Sequence, residues 1–160
     1  MKQQGFAEEP PTTCDMHFTG LYFQPRIVGP LVVVGILLRS PTFFLILSAI
    51  LWWNVVAPTL NPFELFYNRV FARPRGRTIL PPAPGPRRFA QGMAAAFMVV
   101  IAVALWGGWT VTAWIFEAAL VAAFAALLFG KFCLGAYFYH LLRGELAFAN
   151  ATLPWSRPSH

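Results

Sequence analysis

Charged side chains are what this sequence has least of. Asp, Glu, Lys and Arg make up 11% of its 160 residues, where roughly 25% is usual for a soluble domain. Hydrophobic residues reach 58%, against about 45–50%. A water-soluble domain of this size needs more polar surface to cover its core, so an ordinary cytosolic enzyme is excluded. Disorder is excluded as well, because disordered chains are poor in apolar residues. Cysteine is nearly missing, and Cys14 with Cys133 cannot build a disulfide framework. A glycine-rich phosphate loop, paired carboxylates and a Ser/His/Asp grouping are missing too, so no catalysis is expected. Residues 1–20 lack the apolar core of a cleavable signal peptide and carry Lys2, Glu8, Glu9, Asp15 and Pro10-Pro11 instead. The first apolar helix is therefore expected to be retained.

Long runs without charge are what the sequence has instead. They cover Ile27 to Leu38, Ser40 to Phe63, Phe89 to Phe116, and the stretch from Ala118 to Gly130. A spanning helix needs about 20 apolar residues at about 1.5 Å each. By that measure Ser40–Leu60 and Phe89–Trp109 each cross once, and Val111 to Leu142 crosses once with Glu117 and Lys131 inside it. The first run crosses only if its helix starts near Leu21 and Arg26 snorkels back to the headgroups. Arg39-Ser40-Pro41 reads as a tight turn, since Pro41 suits a helix start and would break a continuing helix. The expected fold is all-α integral membrane, with four transmembrane helices in two hairpins and three spans as the fallback. Its parts are a polar tail (1–20), a first hairpin (21–60), a basic proline-rich loop (61–88), a second hairpin (89–143) and a C-terminal tail (144–160).

The little charge there is has been placed unevenly. Between Asn61 and Arg88, six arginines (Arg69, Arg73, Arg75, Arg77, Arg87, Arg88) face one acid, Glu64, so that stretch carries +5 of a net +6. The positive-inside rule makes this loop cytoplasmic, and four spans then make both termini cytoplasmic. A bacterial inner membrane, cytoplasmic or intracytoplasmic, is the expected location. Trp52, Trp53, Trp106, Trp109, Tyr137 and Tyr139 suit the interfacial belts. Prolines rather than stacking aromatics separate the arginines, so anionic lipid is the expected contact and nucleic acid is not. Five prolines among the sixteen residues from Arg73 to Arg88 favour an extended path.

Small residues recur every fourth position on the last two spans. Gly92, Ala96, Val100, Ala104 and Gly108 form one ridge, and Ala118, Ala122, Ala126 and Gly130 another. Such ridges let two backbones approach closely, so they are expected to hold the second hairpin together. The first hairpin has bulky residues on every side, including Trp52 and Trp53, and faces lipid, a partner helix or a pigment.

Pro86-Arg87-Arg88-Phe89-Ala90-Gln91, Phe132-Cys133-Leu134-Gly135 with Tyr137, and Asn61-Pro62-Phe63 with Tyr67-Asn68 together give a pattern over residues 21–143. It resembles a bacterial membrane family described as domain of unknown function 4395. The resemblance implies four membrane helices and no established activity. It also implies a second cysteine after the Leu-Gly step, where this chain has Ala136.

Few side chains offer chemistry. Cys133 and His140 are seven residues apart on one helix, and Cys14 and His17 could join them as zinc ligands, although the spacing is not a zinc signature, so no metal is expected. His140 is a candidate axial ligand for a chlorophyll-type pigment. Bacteriochlorophyll or carotenoid contact is thus left open, with no cofactor required. Lys131 within the span is expected to meet a partner carboxylate, a lipid phosphate or a pigment, and Arg73, Arg75, Arg77, Arg87 and Arg88 to meet lipid or partners. These features point to a non-catalytic accessory subunit that stabilises a larger membrane complex, such as a photosynthetic reaction-centre and antenna assembly or a respiratory complex. The rival is a thiol-dependent redox or sulfur-relay protein working through Cys133.

Overall fold

The computed structural model describes Gln4, residues 20–76 and residues 79–153, and no strand occurs among them. Helices α1 (Phe23–Leu38) and α2 (Pro41–Val56) are joined at the turn read from the sequence. Arg39 closes α1 in the left-handed conformation. Ser40 caps α2 by accepting from the Phe43 N–H at 3.3 Å, and Pro41 supplies a preset φ at the helix start.

The basic segment is more folded than its prolines suggest. Asn61 accepts from the backbone N–H groups of Phe63 and Glu64 and so starts α3 (Pro62–Tyr67). A wide helical turn (Asn68–Ala72) and a tight one (Arg73–Arg75) follow. From Ile79 to Pro84 the chain is free of helix and strand, as the prolines imply. This stretch is tied down, because the Asn68 amide accepts from the Leu80 N–H at 2.9 Å and donates to its carbonyl at 3.2 Å. Leu80 packs with Leu21, Tyr22, Tyr67 and Ala72 in a small cluster of its own.

The second half of the chain forms α4 (Gly85–Trp106), α5 (Thr110–Leu128), α6 (Leu134–Leu142) and α7 (Leu146–Ala151). Among the described residues, α4 and α5 are the helices long and apolar enough to cross a membrane. At 22 and 19 residues they measure about 33 and about 28 Å. The 16-residue α1 and α2 are apolar but shorter, about 24 Å each.

Four helices close into a ring in which α1 touches α2, α2 touches α4, α4 touches α5 and α5 touches α1. Val28 and Val32 of α1, Phe44, Leu47 and Leu51 of α2, Ala95, Met98, Ile101 and Ala102 of α4, and Leu120 of α5 fill its centre. Ser48 Oγ donates to the Ala95 carbonyl at 2.9 Å, and Arg88 donates to the Val55 carbonyl at 2.6 and 3.0 Å. Residue numbers rise on one helix as they fall on the other, so α2 and α4 are antiparallel. The Arg39–Ser40 and Gly107–Trp109 turns therefore share one end, and α3 with the basic segment takes the other.

Two expectations are corrected by this packing. The broadest contact joins α2 to α4, one helix from each expected hairpin, rather than α4 to α5. The expected small-residue ridges lie largely outside the packed interior: Ala96, Gly108, Ala118, Ala122 and Gly130 are exposed, Gly92, Val100 and Ala126 are half-buried, and Ala104 is buried. Gly92 instead faces Val55 and Trp52 of α2. The inward face of α4 is Gln91, Ala95, Met98 and Ile101–Ala102, where large and small side chains alternate to fill the space among four helices.

The last expected span is also broken. α5 stops at Leu128, Lys131 takes a left-handed φ of 54°, and the Phe132 N–H bonds back to the Ala126 carbonyl at 3.1 Å. Lys131 is thus an exposed residue in the break rather than a charge inside a helix. The break lets α6 cross to α4, where Gly135 lies against Ala90: a Cβ at Gly135 would come within 2.5 Å of the Ala90 Cβ and 2.6 Å of its Cα. Replacing Gly135 with Val is therefore expected to undock α6 and lower stability by about 1–3 kcal/mol or more. Gly92→Ala, with ordinary contacts at 3.7 Å and beyond, is expected to be tolerated. Thermal unfolding of the two variants in detergent checks both.

Candidate functional site

Polar side chains in an apolar bundle must find partners inside it, and this bundle concentrates them at its basic end. Pro84 leads into α4 with the helix already formed at Arg87 and Arg88. As consecutive residues of a helix they point about 100° apart. Arg88 reaches Val55 and satisfies the carbonyl end of α2. Arg87 points inward and is only 6% exposed. Its Nη2 lies 3.3 Å from Glu64 Oε1, and both side chains are buried. Burial pushes the Glu64 carboxyl above its ordinary range, with the Arg87 guanidinium pulling it back. The early start of α4 turns both arginines toward protein groups, Arg87 buried and Arg88 half-buried. Next to this pair, Gln91 Nε2 of α4 donates to Gln24 Oε1 of α1 at 2.8 Å.

Cys133 completes the cluster. It sits just before α6, 6% exposed. Burial holds its thiol above the usual range, and the Ala136 and Gly135 amides and the nearby Arg87 charge oppose that rise. The thiol is thus protonated at neutral pH and a poor nucleophile. A cavity of about 90 Å³ opens beside these groups, bounded by α1, α4, α5 and the start of α6. Arg87, Gln91, Gln24, Gln4 and Cys133 line it along with apolar residues such as Val28, Ala94, Phe97, Leu120 and Phe124. Sequence reasoning singled out Arg87 and Cys133 but missed Gln24, Gln91 and Glu64. The spacing of Arg87, Gln91, Ala94 and Phe97 on one helical face is the signal that could have found the cavity wall.

The remaining candidates are scattered. His140 Nδ1 is 2.6 Å from Glu145, and its ring packs on Phe148 at 4.7 Å and Tyr139 at 5.5 Å. It pins the corner between α6 and α7. Cys133 and His140 are at opposite ends of α6, and Cys14, His17 and Arg77 lie outside the described residues. Arg73 and Arg75 are exposed, Arg75 over the Phe71 ring at 5.4 Å. Trp52 and Trp53 are exposed near the basic end, and Trp106 and Trp109 near the other. Glu117, inside the last expected span, is buried, and its Oε1 has no partner among the described residues.

These features define an all-helical protein with two helices of membrane-spanning length and a buried polar cluster at one end. A family model described as a domain of unknown function (DUF4395) matches residues 20–143, and the chain belongs to that family. No curated protein and no solved structure matches the chain.

The Glu64–Arg87 pair is testable by a double-mutant cycle. Glu64→Gln or Arg87→Met alone is expected to cost about 3–5 kcal/mol, because each leaves a buried polar group uncompensated. The two together are expected to cost less than the sum, as read from unfolding of the purified protein.

Proposed function

We propose that the protein is a non-catalytic accessory subunit of a larger assembly in a bacterial inner membrane. In this reading α1, α2, α4 and α5 are all inserted, α1 and α2 completing their crossing with flanking residues and snorkelling charges. The basic segment lies on the cytoplasmic side against anionic headgroups, with the exposed Arg73 and Arg75 as its contacts. The observation that carries the proposal is the apolar outer surface. Leu37 and Leu38 of α1, Val111, Trp114 and Ile115 of α5, and Val56 of α2 are each more than half exposed. Exposed apolar side chains at both ends of the bundle call for lipid or a partner. The buried, protonated thiol gives a thiol-based catalytic role little to work with. His140, considered as a pigment ligand, is engaged at Nδ1, so the proposal does not rest on a pigment.

A thiol-relay role has one observation in its favour, the place of Cys133 on the cavity wall beside Arg87. Ala136, standing where the family pattern implies a second cysteine, speaks against it.

Gentle solubilisation tests the accessory role. The 17.8 kDa chain is expected to migrate in a much larger particle with unlike polypeptides, and its deletion is expected to destabilise that particle. Cys133→Ser is expected to leave the particle intact. A lone monomer whose removal disturbs no membrane complex, or a function lost with Cys133→Ser in an intact particle, would overturn the proposal. Reporter fusions at Gly76 and Gly108 check the topology, with cytoplasmic signal expected at the first and extracytoplasmic signal at the second.

A further inference from the structure

The cavity at the basic end has no part in the accessory role, yet it has the makings of a ligand site. Along α4, Arg87, Gln91, Ala94 and Phe97 all line it. Its wall therefore changes from polar to apolar over about 15 Å of helix. α1 runs parallel to α4 and repeats the gradient, from Gln24 to Val28.

Apart from the Arg87 Nη2–Glu64 Oε1 ion pair, two buried polar atoms of the cavity wall lack partners among the described residues. They are Arg87 Nη1, a donor, and Gln91 Oε1, an acceptor. Arg87 is 6% and Gln91 8% exposed. Buried polar groups are almost always satisfied in native proteins, so a pair of orphans on one cavity wall points to a molecule that supplies the missing bonds. Water satisfies these two atoms at the polar end but leaves the apolar length of the cavity unfilled.

Charge narrows the class. Glu64 already faces Arg87 at 3.3 Å, so the pair is close to neutral. An added carboxylate would bring a buried negative charge with no counter-charge of its own, whereas a hydroxyl both accepts from Arg87 and donates to Gln91. We propose that this cavity binds a neutral apolar molecule through a single hydroxyl group, held between Arg87 Nη1 and Gln91 Oε1, with its apolar body against Ala94, Phe97, Leu120 and Phe124. Aliphatic alcohols and phenols share this chemistry. Binding of this kind is independent of whether the chain joins an assembly.

Cys133, on the same wall, reports on occupancy. The test uses the full chain in mild detergent, carrying Cys14→Ser, with 1-octanol, 4-propylphenol, octane and octanoate as probes. Labelling of Cys133 by N-ethylmaleimide and the thermal unfolding midpoint are read together. At least one hydroxyl probe is expected to slow labelling about tenfold when present at about nine times its Kd, and to raise the midpoint. Preference for 1-octanol assigns an aliphatic alcohol and preference for 4-propylphenol a phenol. Octane and octanoate are expected to do neither. Ala123→Phe, which fills the cavity without touching its polar end, is expected to abolish both effects, with Ala94→Ile as the substitute if that variant does not fold. Gln91→Leu is expected to remove the preference for hydroxyl probes over octane. No protection by either hydroxyl probe, equal protection by octane or octanoate, or protection that survives in the filled cavity would overturn the proposal.

Discussion

Arg87 faces the interior of the bundle, and much of the basic end is arranged around that one side chain. A buried guanidinium is costly unless a charge answers it. Glu64 provides the answer, which obliges α3 to fold back against the start of α4. Once α3 is held there, Tyr67 can pack with Leu21, Tyr22 and Leu80, and the segment that follows is pinned by Asn68. What reads as a proline-rich spacer becomes part of the folded body.

The same end collects the bundle's other long-range polar contacts, Gln24 with Gln91 and Arg88 with Val55. Towards the opposite turns the helices meet through Phe44, Met98, Ile101 and Val32, with no polar pairs of that kind among the described residues. This asymmetry has a physical sense under the proposed membrane insertion. Apolar side chains pack equally well against each other and against lipid tails, so they hold helices together weakly, while hydrogen bonds between helices fix which faces meet. Ser48 on the Ala95 carbonyl extends that fixing toward mid-bundle.

The break after Leu128 is the second organising feature. By ending α5 with a left-handed Lys131, the chain steps sideways and lays α6 on α4 through the Gly135–Ala90 contact. The step brings Cys133 next to Arg87 and closes the cavity. An unbroken helix to Leu142 would carry Cys133 away from α4 and leave that wall open.

The sequence alone determined the apolar character, the helical class, the tight turn at Arg39-Ser40-Pro41 and the basic end, because composition, charge-free run length and proline chemistry are local properties. The resemblance carried by Pro86-Arg87-Arg88 and Phe132-Cys133-Leu134-Gly135 was legible for the same reason. The tertiary structure alone decided which faces meet. Small residues at every fourth position are compatible with close packing but do not require it, so Ala118 and Ala122 end up outside while Gln91 and Met98 turn in. It also decided the fate of the charges. Arg87 and Arg73 are alike as letters in a basic stretch, and only the early start of α4 and the position of Glu64 make one a buried partner and the other a surface charge. Gln24 and Gln91 are 67 residues apart in the chain, a distance over which no local pattern operates, so the polar wall of the cavity exists only once the helices have closed.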